Sequence, residues 1–185
     1  MKVLLVDFYD SFTYNLAHYF ENSDCEVDVI LHDKLDLKVI SNYDKVVLSP
    51  GPGLPSEKMN MFEIIQICDC KIPILGICLG MQALSSFIGA SLENQQIVKH
   101  GVQEFITVKQ TSVLFKGLPN EFKVGLYHSW HVVNCDEKFI TARSENNVNM
   151  AIEIPERKIF GVQFHPESIM TEFGSDILRN FIRNT

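Results

Sequence analysis

The sequence predicts an α/β protein with a doubly wound, mostly parallel central sheet, flanking helices and a smaller antiparallel layer. Two observations carry that prediction. In the first half, short runs that are apolar at nearly every position alternate with helix-length segments. This is the pattern of strands buried on both faces of a parallel sheet. In the second half, strand-type segments follow one another with Gly, Pro, Asn and Asp between them, which points to antiparallel pairing.

Lys2-Val3-Leu4-Leu5-Val6-Asp7 is the first apolar run. Asp10 or Ser11 then stands where a helix cap is wanted. The helix runs to about Asn22, with Phe12, Leu16, Tyr19 and Phe20 along one face. Glu26 to Leu31 reads as a second strand, and Leu35 to Ile40 as a short helix. Lys45-Val46-Val47-Leu48-Ser49 is the third strand. It runs into Pro50-Gly51-Pro52-Gly53, which continues neither strand nor helix. Met59 to Asp69 reads as a helix, with Phe62, Ile65 and Ile67 among its apolar residues. A further apolar run, Ile72 to Ile77, precedes a helical pattern over Gln82 to Ile88. The order so far is β-α-β-(α)-β-α-β-α. Beyond it lie strand-type segments at Gln96 to Lys99, Glu104 to Val108, Phe122 to Leu126, Phe139 to Ala142, Met150 to Ile154 and Ile159 to Phe164. They are expected to form an antiparallel layer that ends by adding strands to the main sheet. Thr171 to Arg183 closes the chain as an amphipathic helix, with Phe173, Ile177, Leu178, Phe181 and Ile182 on one face.

A chain of 185 residues with 46% hydrophobic content supports one domain with a full core, taken as 1–185. A net charge of −7 argues against nucleic acid or an anionic membrane as the main partner. The five cysteines, at 25, 68, 70, 78 and 135, contain no C-x-x-C pair, so reduced thiols are expected and no disulfide framework or zinc site. Cys68 and Cys70 give only a weak metal signal, and neither a metal nor a cofactor is expected. The apolar stretch around 72–81 is too short to span a bilayer, and Asp7 interrupts any secretory segment at the N-terminus. The expected location is the cytoplasm.

Chemistry concentrates at Gly76-Ile77-Cys78-Leu79-Gly80. A strand ends on a cysteine set between two glycines and a helix follows, the form of a nucleophile elbow. The glycines remove Cβ atoms that would collide in the turn, and the helix start presents free N–H groups to the sulfur. A thiolate nucleophile needs a proton shuttle and a group to orient it. Of six histidines, His18 falls in a helix and His32 in a loop, where surface or packing roles are the default, and His100 sits in an uninformative turn. His165 differs. An apolar strand delivers it, Pro166 stops the strand, and Glu167 is close enough to bond one ring nitrogen. Alone, His-Pro-Glu is as well read as a capped turn, and Gly-x-Cys-x-Gly as a buried structural cysteine. Together they make a Cys78–His165–Glu167 triad candidate.

Gly76-Ile77-Cys78-Leu79-Gly80-Met81-Gln82 with Gln163-Phe164-His165-Pro166-Glu167-Ser168 resembles the class I (triad) glutamine amidotransferases. Leu48-Ser49-Pro50-Gly51-Pro52-Gly53 resembles that family's oxyanion strand. Asp10-Ser11-Phe12-Thr13-Tyr14-Asn15 and Tyr127-His128-Ser129 further resemble the glutaminase subunits of anthranilate synthase and aminodeoxychorismate synthase.

The resemblance implies that Cys78 attacks the side-chain amide of L-glutamine to give a thioester, with His165, oriented by Glu167, moving protons. It implies an oxyanion hole from the N–H groups of Leu79 and Gly53. Gln82, Gly51, Pro52, Gly53 and the backbone of Ser129 and Trp130 would hold the substrate. It also implies a partner, a chorismate-using synthase subunit, in a heterodimer or heterotetramer where that partner receives the ammonia. Three positions depart from the family pattern, the first being Phe8, where asparagine is common. Leu126 stands where a positive charge is common, and Trp130 where leucine is. Competing readings are the glutaminase of another amidotransferase, such as GMP synthetase, and a catalytically silent regulatory subunit.

Overall fold

The computed structural model describes residues 1–109 and 111–185, with the side chains of 96–98 outside that description. Its strands are β1 (Lys2–Asp7), β2 (Glu26–Leu31), β3 (Lys45–Leu48), β4 (Ile74–Ile77), β5 (Ser91–Val108), β6 (Glu121–Val133), β7 (Ile140–Ser144), β8 (Asn149–Ile154) and β9 (Ile159–Val162). The helices are α1 (Thr13–Glu21), α2 (Met61–Cys68), α3 (Leu79–Phe87) and α4 (Gly174–Asn184).

Nine strands form one sheet in the order β2-β1-β3-β4-β9-β8-β7-β5-β6. The run β2-β1-β3-β4-β9 is parallel throughout. From β9 onward each neighbour is antiparallel. The fold class is the expected one, and the antiparallel strands continue the main sheet by hydrogen bonding. The expected segments Gln96 to Lys99 and Glu104 to Val108 are parts of the single long strand β5.

Strand alternation divides the core into two layers. Val3 and Leu5 face α1 and α4, meeting Leu16, Phe20, Leu178 and Phe181. Leu4 and Val6 face α2 and α3, meeting Met61, Ile64, Met81 and Leu84. Each parallel strand therefore needs apolar residues at consecutive positions, which is why these runs stand out in the sequence.

Local details differ from expectation for clear reasons. Helix α1 starts at Thr13, not at Asp10 or Ser11. Asp10 caps the preceding turn instead, its carboxylate accepting from Phe12 N–H at 2.8 Å. Asp7, at the end of β1, accepts from the N–H groups of Tyr9 and Asp10 and from Thr13 Oγ1, so this turn is folded around one carboxylate. The segment expected as a helix at Leu35 to Ile40 is a 3₁₀ helix, Leu37–Asn42, capped by Asp36. Helix α2 begins only after Asn60, whose left-handed backbone (φ 64°) forces the break.

Two glycines fix how closely α3 enters the sheet. A Cβ on Gly76 would lie 2.3 Å from the backbone carbon of Gly80, and one on Gly80 would lie 2.7 Å from the Leu48 carbonyl oxygen. Gly161 is different, since a Cβ there would meet side chains and no backbone, Met81 Cγ at 3.0 Å and Ile152 Cγ1 at 3.3 Å, which need yield only slightly. Urea unfolding should therefore separate two substitutions of equal chemistry. Gly76→Ala is expected to lose about 3 kcal/mol or more, and Gly161→Ala about 1 kcal/mol.

Candidate active site

Strand β4 ends at Ile77, and Cys78 makes the turn into α3 with φ 51° and ψ −100°. A non-glycine residue in that region is strained by roughly 1–3 kcal/mol and is held only by its surroundings. Here the hold is visible. Cys78 N–H donates to the Val162 carbonyl at 2.8 Å, and the Cys78 carbonyl accepts from Gln82 N–H at 3.0 Å. The cysteine is 7% exposed and sits at the N-terminus of α3, where the N–H of Leu79 has no partner within the helix.

Strand β9 lies beside β4 in parallel register, Ile77 opposite Val162. That pairing brings residues 163–167 to Cys78. His165 is 3% exposed and Glu167 is 4% exposed. Glu167 Oε1 accepts from His165 Nδ1 at 2.6 Å, which fixes the tautomer. His165 Nε2 is buried with no partner in hydrogen-bond geometry, and the ring lies near enough to Cys78 to feel its charge. Burial disfavours the imidazolium. The nearby Cys78 sulfur and the hydrogen-bonded Glu167 carboxylate outweigh it and push His165 up to about 10. Tyr127 and Phe12 pack edge-on against the ring, with centroids at 5.0 and 6.3 Å.

Two cavities meet at the sulfur. An inner pocket of about 160 Å³ is lined by Gly51, Pro52, Gly53, Cys78, Leu79, Gln82, Tyr127, His128, Ser129 and Trp130. An outer cleft of about 500 Å³ is lined by Tyr9, Asp10, Phe12, Pro50, Cys78, His100, Tyr127 and His165, among others. The sequence-predicted residues at 51–53, 78, 79, 82, 129 and 130 thus share one pocket, with His165 on the outer side of the sulfur and Glu167 behind it. A third cavity, about 420 Å³, lies behind His128 and does not reach Cys78. Among the described residues no group of three or more His, Cys, Asp or Glu side chains is arranged to hold a metal ion.

Each wall of the inner pocket has a local cause. Gly53 adopts φ 77°, and a Cβ there would lie 2.3 Å from Glu57 Oε2, which itself accepts from Leu54 N–H at 3.0 Å. On the opposite wall, the register of β5 against β6 shifts between the pairs Asn94–Trp130 and Lys99–His128, and Ser129 lies at that irregularity. Gln82 donates to the Trp130 carbonyl at 2.9 Å and to Gln163 Oε1 at 3.2 Å. Trp130 is half-buried, and its carbonyl also receives His128 Nδ1 at 2.9 Å.

Three features escape a reading of the sequence. Gln163, which follows β9 directly and stands two positions before His165, has its Nε2 3.5 Å from Cys78 Sγ. His128 is a buried wall of the pocket, its only sequence signal being membership of Tyr127-His128-Ser129. Leu126 is fully buried in the core and borders the cavity behind His128, so the missing positive charge does not lie on a surface open to a partner.

Burial drives His128 down to about 4; the Trp130 carbonyl works against that shift, and the charges of His165 and His131 add to it. The folded state therefore prefers the neutral ring. A depressed histidine contributes stability that is intact above its unfolded value near 6.5 and is lost as pH falls toward 4. Between pH 7 and pH 5 the parent should lose about 2 kcal/mol more unfolding free energy than a His128→Gln variant, measured by urea titration at both values.

Residues 4–185 match the family model of the class-I glutamine amidotransferases. A Haemophilus influenzae protein provisionally described as anthranilate synthase component II is 39% identical over 98% of this chain and 96% of its own length. Anthranilate synthase component 2 of Pyropia yezoensis is 38% identical over 97% of this chain and 98% of its own. Among solved structures, a Thermoplasma acidophilum protein provisionally described as part of a GMP synthase superposes with a TM-score of 0.89 at 28% identity, covering 98% of this chain and 92% of that one. Fold, elbow and near full-length sequence match agree, and the chain belongs to the class-I glutamine amidotransferase family of enzymes.

Proposed function

We propose that the chain is a single-domain glutaminase subunit that hydrolyses L-glutamine through a Cys78 thioester and hands the ammonia to a chorismate-using synthase subunit. The observation that carries this reading is the meeting of Cys78, the His165–Glu167 pair and a small pocket walled by Gly51, Gly53, Leu79, Gln82 and Ser129. In the proposed cycle the Cys78 sulfur attacks the side-chain amide carbon. The carbonyl oxygen gathers negative charge and is met by the N–H groups of Leu79 and Gly53. Losing one such donor costs on the order of 3 kcal/mol. His165 delivers its proton to the departing nitrogen, so ammonia leaves and a γ-glutamyl thioester remains. The neutral ring then takes a proton from water, which attacks the thioester and releases glutamate and the thiolate. Glu167 keeps Nδ1 protonated and Nε2 facing the sulfur throughout. Both Gln82 donors are engaged by Trp130 and Gln163, so its Oε1 is the atom offered to the substrate. The Ser129 backbone and Gly51, both lining the pocket, complete the cradle.

For the partner, the names of the relatives near 38% identity favour a chorismate-using synthase over the GMP-forming alternative. The backbone likeness at 28% identity is the observation that keeps GMP synthetase as a second reading. The proposed setting is the cytosol, where free thiols such as Cys25, Cys68 and Cys70 stay reduced. The partner would sit over the outer cleft in a heterodimer or heterotetramer. Folate and tryptophan pathways are both compatible with this chain.

Assay with the three synthase subunits separates these readings, scoring anthranilate, aminodeoxychorismate and GMP from glutamine. A chorismate-derived product is expected. GMP alone would transfer the assignment to the second reading. Cys78→Ser should lower glutamine-dependent turnover by about 10³ or more, while synthesis from added ammonium persists. A glutamine-analogue electrophile should label Cys78 and none of the other cysteines. An unlabelled Cys78 in an active complex would overturn the thioester mechanism.

A further inference from the structure

We propose that Gln163 is a catalytic residue, its side-chain N–H donating to the Cys78 sulfur and stabilising the charge that sulfur carries before attack and regains on leaving the thioester. The inference deepens the glutaminase reading and rests on it. Gln163 is fully buried directly after β9, between the apolar residues Val162 and Phe164. A buried amide costs about 1–3 kcal/mol unless it is satisfied, so an apolar side chain would serve packing alone better. Its partners explain it. The backbone N–H donates to the Met150 carbonyl at 2.9 Å, which continues the β8 ladder and holds the side chain at the strand end. Nε2 is 3.5 Å from Cys78 Sγ, and Oε1 accepts from Gln82 Nε2 at 3.2 Å. The acceptor side is thus occupied by Gln82, which turns the amide so that its N–H groups face the sulfur.

His165 serves the same sulfur differently. Its proton leaves with the departing nitrogen, so at the thioester stage the ring is no longer a cation. The Gln163 donor is neutral and has no proton to lose near neutral pH. It remains in place when the sulfur departs as a thiolate, the moment at which a hydrogen bond to a charged acceptor is strongest. Through Gln82 and the Trp130 carbonyl the same amide is tied to the opposite wall of the pocket, so the donor's orientation is set by the cradle that holds the substrate.

Gln163→Met keeps much of the volume and removes the donor, and the nearly isosteric Gln163→Glu replaces it with a carboxylate. Peptide-resolved alkylation of Cys78 by iodoacetamide at pH 7 reads the sulfur without any need for glutamine. About a tenfold slower rate is expected for the Met variant and a larger loss for Glu, because a bond to a charged group is worth about that factor or more. With the synthase present, kcat for glutamine should fall by about tenfold or more while KM stays within about threefold. Buried Cys25 and Cys68 report folding in the same spectra. If the Met variant exposes them, the Glu variant decides. A folded variant that alkylates and turns over at the parental rate would overturn the role of Gln163 and leave the glutaminase reading intact. A parent that alkylates at Cys78 but never hydrolyses glutamine with any synthase would overturn the glutaminase reading, and with it the catalytic role.

Discussion

The site depends on one strand pairing. β4 and β9 are far apart in sequence yet lie side by side in parallel, with Ile77 opposite Val162 and the Cys78 N–H bonded to the Val162 carbonyl. Gln163 and His165, which follow directly after β9, are placed by that register. A slip of one residue would turn β9 itself over and carry both away from Cys78, because strand side chains alternate with a period of two. The same pairing ends the parallel half of the sheet, since β8 runs antiparallel to β9. The sulfur therefore stands where the two halves meet, which lets the antiparallel strand β6 supply a wall of the pocket.

Strain at the elbow is matched by rigidity around it. Cys78 is held at φ 51° by close contacts that only glycine permits at 76 and 80, where any Cβ would meet backbone that cannot yield. Packing of α3 against β3 and β4 thus fixes the position of the sulfur more firmly than any bond the sulfur makes. The result is a rigidly placed thiol with helix N–H groups ahead of it, the preorganisation that the proposed glutaminase cycle requires.

How much of this the sequence reveals follows from burial. Strands β1, β3 and β4 are buried on both faces, so their residues must be apolar in succession and the runs stand out. The triad stands out because glycine, cysteine, histidine and proline are punctuation as well as chemistry. The long strand β5 does not, because most of its side chains between Ser91 and Val108 are polar and its partner β6 is a ribbon at the sheet edge. The register shift at Ser129 leaves no trace, since it is set by pairing between strands and not by any turn residue. Gln163 is hidden for a related reason. A polar residue at a strand end is ordinary, and only the neighbouring strand reveals that a sulfur lies beside it. Leu126 shows the converse, a substitution that looks like a lost surface charge and is in fact core.

Two histidines within this site are driven in opposite directions, and the contrast explains how one proton is kept in one place. Both rings are buried, which by itself favours the neutral form of each. His165 has a carboxylate on one side and the sulfur on the other, so its charge is matched and its value rises to about 10. At His128 burial dominates, the Trp130 carbonyl and Glu104 offset it only in part, and the positive charge on His165 opposes a second cation nearby, so its value falls to about 4. The charged ring thereby helps keep the other neutral. Nδ1 of the neutral His128 lies against both Gln95 Nε2 and the carbonyl that also receives Gln82, tying together the wall opposite the sulfur. Two chemically identical side chains are thus driven to opposite charge states by their neighbours alone, with the cationic ring facing Cys78.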